Sequence, residues 1–185
     1  MGSELRPLGI TCNIGCQHCY QHPQRDVEQP QKRYDMKAMK EAVLREGTDF
    51  MLFGSEALMV PLEDLEELFA FGLEQFGRNS VQTNGTLVTP AHVDLFRKYK
   101  VSVGVSVDGP GALNDIRWAG SLEKTREQAA RTEAAINMLV DAGIPPTLIV
   151  TLHRGNATAA KLDQMSDWFR ELDAKGIRAA RLHLL

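Results

Sequence analysis

Two rhythms of apolar residues alternate along this chain. Short continuous or every-second-residue runs, the pattern of strands, are separated by stretches in which apolar residues return every three or four positions, the pattern of helices. Leu8 to Thr11 predicts a short first strand. Tyr34 to Glu46, with Met36, Met39 and Val43 at helical spacing, predicts a helix. Phe50 to Phe53 is apolar throughout, as a strand buried on both faces should be. Leu62, Leu65, Leu68, Phe69, Leu73 and Phe76 line one side of a helix that Pro61 opens and Gly77 closes. Ser80 to Thr83 predicts a third strand, and Thr89-Pro90 opens a third helix with Val93 and Phe96 facing inward. Val101 to Val107 (VSVGVSV) is the clearest strand pattern. A helix over about Lys124 to Ala142 stops at Gly143 and leads to a strand from Thr147 to Leu152. Leu162, Met165, Trp168, Phe169 and Leu172 form a fifth apolar helix face ending at Gly176. Arg178 to Leu185 predicts a sixth strand.

Six strands and five helices in strict alternation predict an α/β fold with a parallel sheet and right-handed crossovers. Doubly wound and barrel-like arrangements both satisfy that order. VSVGVSV favours a barrel: its valines share one face, and Ser102, Gly104 and Ser106 share the other, where small polar residues leave room for a ligand. Either way, ligands bind at the carboxyl ends of the strands. Gln21 to Lys32 reads as a long loop. With no linker or repeat in between, residues 1–185 are expected to form one core domain.

Composition narrows the picture little. The chain has 185 residues, 43% hydrophobic and 24% charged, with a net charge of −3. Its Lys and Arg are interspersed with Asp and Glu, which gives no reason to expect a nucleic-acid or membrane partner. No signal peptide or membrane span is apparent, so the expected location is the cytoplasm, where clustered cysteines usually serve metal or catalysis rather than disulfides.

The distinctive chemistry lies in CNIGCQHCY, residues 12–20, which holds all 3 cysteines of the chain. Cx3CxxC allows one tight loop to turn Cys12, Cys16 and Cys19 toward a common point. Iron–sulfur cubanes normally take four thiolates, so three would leave one iron with an open position. A zinc site with His18 or His22 as fourth ligand remains a second possibility from the loop alone, as a structural or electron-transfer metal module.

At this point the sequence resembles the radical S-adenosylmethionine (SAM) superfamily, whose signature is Cx3CxΦC after the first strand of a partial (β/α)6 barrel. The resemblance covers nearly the whole chain. Gly54-Ser55-Glu56-Ala57 follows the second strand, in the place of a Gly-Gly-Glu-Pro-like segment from which Ser55 and Ala57 depart. QTNG at Gln82 to Gly85 follows the third strand. SVDGP at Ser106 to Pro110 closes the fourth, with Asn114-Asp115 and Arg117 beyond it. The run is most similar to the peptide- and protein-modifying maturase branch with SPASM or twitch extensions.

The resemblance implies a [4Fe–4S] cluster on Cys12, Cys16 and Cys19, with SAM chelating the open iron. It implies reductive cleavage of SAM to a 5′-deoxyadenosyl radical that takes hydrogen from a peptide or protein substrate. An external donor of flavodoxin or ferredoxin type would supply the electron. Backbone at Gly54, Ser55 and Glu56 is expected to serve the SAM ammonium group, Ser106 the ribose, Arg117 the SAM carboxylate, and His18 and Leu184 the adenine. No catalytic side chain is expected beyond the cluster ligands, and Asp108 is expected to order its own turn. The sixth strand is expected to keep an exposed apolar outer face, as the core of a longer enzyme or one completed by another chain. A degenerate core that no longer turns over is the remaining alternative.

Overall fold

The computed structural model describes residues 2–26 and 34–185. Its strands are β1 (Ser3–Leu5), β2 (Phe50–Leu52), β3 (Asn79–Thr83), β4 (Val101–Ser106), β5 (Thr147–Leu152) and β6 (Ala180–Leu184). Its α-helices are α1 (His22–Asp26), α2 (Met36–Glu46), α3 (Leu62–Phe76), α4 (Pro90–Lys98), α5 (Leu122–Asp141) and α6 (Leu162–Ala174). The strands form one sheet in the order β1-β2-β3-β4-β5-β6, and the ladders β1–β2, β2–β3, β4–β5 and β5–β6 are parallel. Sequence order without a reversal is the topology of a partial (β/α)6 barrel, not of a doubly wound sheet, which needs a switch point. Among the described residues no helix is long and apolar enough to cross a membrane.

The chain divides into two compact units. The first comprises Met1–Asn13, Tyr20–Thr83 and Thr89–Val103. Its core is built on α3, whose Leu65, Leu68 and Phe69 are fully buried. Phe69 meets Phe96 of α4 edge to face, with ring centroids 6.0 Å apart. Asn79 at the start of β3 donates from Nδ2 to Phe69 O and to Tyr99 O, both at 2.8 Å. Its Oδ1 would stand 2.0 Å from a Cβ at position 72, so only glycine fits that turn of α3.

Helix α2 begins at Asp35, whose carboxylate accepts from Ala38 N at 3.0 Å. Asp35→Ala is therefore expected to cost about 1 kcal/mol, read as a lower midpoint of chemical denaturation.

The second unit comprises Ile14–Cys19, Asn84–Val88 and Gly104–Leu185. Leu139 of α5 and Leu148 and Val150 of β5 are fully buried at its centre. Strand β4 alternates as expected, with Val101, Val103 and Val105 buried, Ser102 exposed, and Gly104 and Ser106 half-buried. Strand β6 is exposed along its whole length. Leu182 and Leu184 are not core residues, being 55% and 88% exposed.

Two expectations need correction. The first strand is β1, at Ser3–Leu5, whereas Leu8 to Ile10 belong to a turn. Gly9 N donates to Arg6 O at 3.0 Å and Thr11 N to Leu8 O at 3.1 Å there. Pro7 has no N–H for a ladder, which favours the turn. The expected loop from Gln21 to Lys32 contains α1, and positions 27–32 of it lie outside the described residues.

Candidate functional site

The cysteine loop is held by backbone. Gly15 N donates to Trp118 O at 2.7 Å and Gln17 N to Ile116 O at 2.8 Å, so both neighbours of Cys16 are tied to the segment around Arg117. Cys19 N then donates to Cys16 O at 3.1 Å, turning the two thiols of Cys-Gln-His-Cys within one loop. Cys16 is buried, and Cys12 and Cys19 are half-buried. Burial pushes the Cys16 thiol above its usual range; Arg117 works against that shift, and Asp108 and Cys19 add to it. An incoming metal would have to displace that proton.

Among the described residues no group of three or more His, Cys, Asp or Glu side chains is gathered to hold a metal ion. The donor set itself fits an iron–sulfur cubane. It offers three soft thiolates, each for a different iron, and zinc would need a fourth donor beside them.

Asp108 organises the surroundings of this loop. It is fully buried, and its Oδ1 accepts from Thr151 N at 2.8 Å, beyond the point where β4 ends. Its Oδ2 stands 3.3 Å from Arg117 Nη1 and 3.6 Å from His18 Nε2. Asn156, also fully buried, donates from Nδ2 to Asp108 O at 2.7 Å and to Thr151 O at 2.8 Å. The His18 ring lies over His153, with centroids 6.5 Å apart and planes 12° from parallel. The expectation that Asp108 orders its own turn is thus corrected: its carboxylate reaches across to β5 and to Arg117. Sequence reasoning missed Thr151 and Asn156; a buried-strand end followed by an Asn-containing turn, HRGN, was the available signal.

In the first unit, the segment after β2 is shaped by glycine. Gly54 has φ +122°, and a Cβ there would meet Gly9 O at 3.0 Å, a conformation that other residues rarely adopt. Ser55 N donates to Gly9 O at 3.3 Å and Glu56 N to Thr11 O at 3.0 Å, tying the segment to the residues before Cys12. Ser55 itself has no positive φ, so its departure from glycine is accommodated by the backbone. The Glu56 carboxylate is buried and accepts from Thr83 Oγ1 at 2.6 Å and Leu58 N at 3.0 Å. That bond joins the Gly-Ser-Glu segment to the QTNG motif, a link the sequence did not reveal.

The remaining expected site residues are dispersed in exposure. Ser106 is half-buried at the end of β4, and Arg117 is turned to Asp108. Leu184 stands open on β6.

Comparison with known proteins decides the family, since the pattern described as "Radical SAM superfamily" matches residues 7–168. The chain belongs to the radical SAM superfamily. Among the proteins it is similar to is the serine-type anaerobic sulfatase-maturating enzyme of Bacteroides thetaiotaomicron. It is 28% identical over 191 aligned residues, covering 95% of this chain and 45% of the relative. The AdoMet-dependent heme synthase of Nitratidesulfovibrio vulgaris is 28% identical over 178 residues, covering 95% of this chain and 46% of that protein. The chain thus spans about half the length of the curated relatives it matches. Among solved structures, native anSMEcpe with bound AdoMet and Kp18Cys peptide superposes with a TM-score of 0.79. It is 21% identical, over 99% of this chain and 51% of that one. At that identity the match speaks to the fold.

Proposed function

We propose that residues 1–185 form the SAM-cleaving core of a radical SAM enzyme that modifies a peptide or protein, as a maturase does. In this reading Cys12, Cys16 and Cys19 ligate a [4Fe–4S] cluster whose fourth iron is open to SAM. The observation that carries it is the three-thiol loop, backbone-tied at Gly15 and Gln17, inside a superfamily match that runs from residue 7 to 168. When bound, the reduced cluster supplies the electron that splits SAM into methionine and a 5′-deoxyadenosyl radical able to take hydrogen from the substrate.

The chain's own residues bind and orient. Carbonyls of Gly54, Ser55 and Glu56 serve the SAM ammonium, Ser106 the ribose, and His18 and Leu184 the adenine. Arg117 serves the SAM carboxylate; its guanidinium also offsets negative charge beside Cys16, and Asp108 holds it in place. A flavodoxin- or ferredoxin-type donor supplies the electron.

The peptide assignment is supported by the name of the sulfatase-maturating relative and by the peptide in the anSMEcpe structure. The heme synthase relative favours a second substrate class, a tetrapyrrole.

The test is anaerobic reconstitution with iron and sulfide, followed by SAM and a strong reductant. Chromatography should show 5′-deoxyadenosine, and a thiol-bound cluster with no deoxyadenosine would indicate a degenerate core. Adding candidate precursor peptides or porphyrins, with mass spectrometry of each, separates the two substrate classes. Ser106→Ala removes the hydroxyl without adding bulk and is expected to weaken SAM binding by about 1 kcal/mol. Unchanged affinity in an anaerobic titration would remove Ser106 from the site.

A further inference from the structure

Gln21 lies two residues after Cys19 and is 2% exposed. Its amide Oε1 stands 2.8 Å from Ser55 Oγ, and its Nε2 is buried with no hydrogen-bond partner among the described residues. Ser55 Oγ also donates to Ile10 O. These contacts overload one proton. A hydroxyl can donate once, and both the Ile10 carbonyl and an amide oxygen only accept. The two ends of an amide have nearly the same shape, and the hydrogen-bond network decides which is which. Only one orientation satisfies all three groups: the Gln21 NH2 donates to Ser55 Oγ, and Ser55 gives its proton to Ile10 O. The amide oxygen of Gln21 then takes the buried position, which has no partner among the described residues.

A buried acceptor with no donor is unfavourable, and it is accounted for if a ligand supplies the donor. The chemistry required is a group rich in N–H and preferably cationic. Ser55, which sets the amide's orientation, is the middle residue of Gly54–Glu56, the segment read above as serving the SAM ammonium group. We infer that Gln21 is a SAM-binding residue whose amide oxygen accepts a hydrogen bond from the SAM ammonium, with Ser55 as its positioning residue. The serine at position 55 then has a purpose that glycine could not serve, because glycine would leave the Gln21 amide unoriented. The inference rests on the SAM reading of Gly54–Glu56.

The experiment compares two ligands on the anaerobically reconstituted protein. SAM carries the ammonium, and 5′-methylthioadenosine keeps the nucleoside but lacks the amino-acid part. Gln21→Met, of similar length, should weaken SAM binding about tenfold or more, the loss expected for a hydrogen bond to a charged group. Methylthioadenosine affinity should stay unchanged. Ser55→Ala, which keeps the backbone and removes the orienting hydroxyl, should give the same pattern with a smaller loss. It also serves as the deciding variant if Gln21→Met does not fold. Unchanged SAM affinity, or equal losses for both ligands, would overturn the assignment while leaving the SAM reading intact. Failure of the unmodified protein to bind SAM at all would overturn both.

Discussion

Replacing Cys16 with Ala is expected to abolish the iron–sulfur cluster outright, and Cys12→Ala and Cys19→Ala to do the same. A cubane with three protein thiolates already has one iron without a cysteine, and losing another leaves too few ligands to hold it. Cys16 is the most demanding of the three. Its side chain is buried, and burial pushes its thiol up against the opposing effect of Arg117, so iron has to replace a held proton there. The protein fold should survive, because Gly15 N and Gln17 N hold the loop through backbone hydrogen bonds that the substitution leaves in place. Iron content and visible absorbance after anaerobic reconstitution should therefore fall to background, with circular dichroism unchanged. A Cys16→Ala protein that retained a full complement of iron would show that the ligand set is wrong.

Asp108→Ala should be the most destabilising single change outside the apolar core, costing about 3 kcal/mol or more. The carboxylate is fully buried and faces Arg117 and His18 while capping Thr151 N. Its removal takes the opposing charge from a nearly buried guanidinium and the acceptor from a backbone N–H, and breaking one side of a buried pair costs more than never having built it. Asp108→Asn keeps an acceptor for Thr151 N but loses the charge opposite Arg117, so its loss should be smaller. Urea denaturation of the three proteins gives the ranking. A midpoint for Asp108→Ala within error of the parent protein would mean that this network contributes little.

How much of this was legible beforehand depends on the range of the contacts involved. Strand β5 lies where the run Thr147 to Leu152 placed it, and α3 runs between its Pro61 and Gly77 boundaries. Those elements are decided by local apolar periodicity and by residues that stop helices. Strand β1 was misplaced because Ser3–Leu5 has little apolar signal of its own; its extended form comes from pairing with Phe50–Leu52, some 47 residues later in the chain. The cysteine spacing suggested the proposed cluster from the sequence alone, with zinc as its alternative. The groups around it did not, since Asp108 meets Thr151 and Asn156 only after β4 and β5 are aligned. Glu56 likewise meets Thr83 across 27 positions. The link between Gln21 and Ser55 was hidden for the same reason, being 34 residues apart in sequence.

The most direct test of the whole account is metal and sulfide analysis of the protein purified and handled without oxygen, combined with electron paramagnetic resonance of the reduced sample. The account predicts about four irons and four sulfides per chain. It also predicts a reduced-cluster signal that changes when SAM is added, because SAM reaches the iron without a cysteine. One zinc per chain and no iron would contradict it.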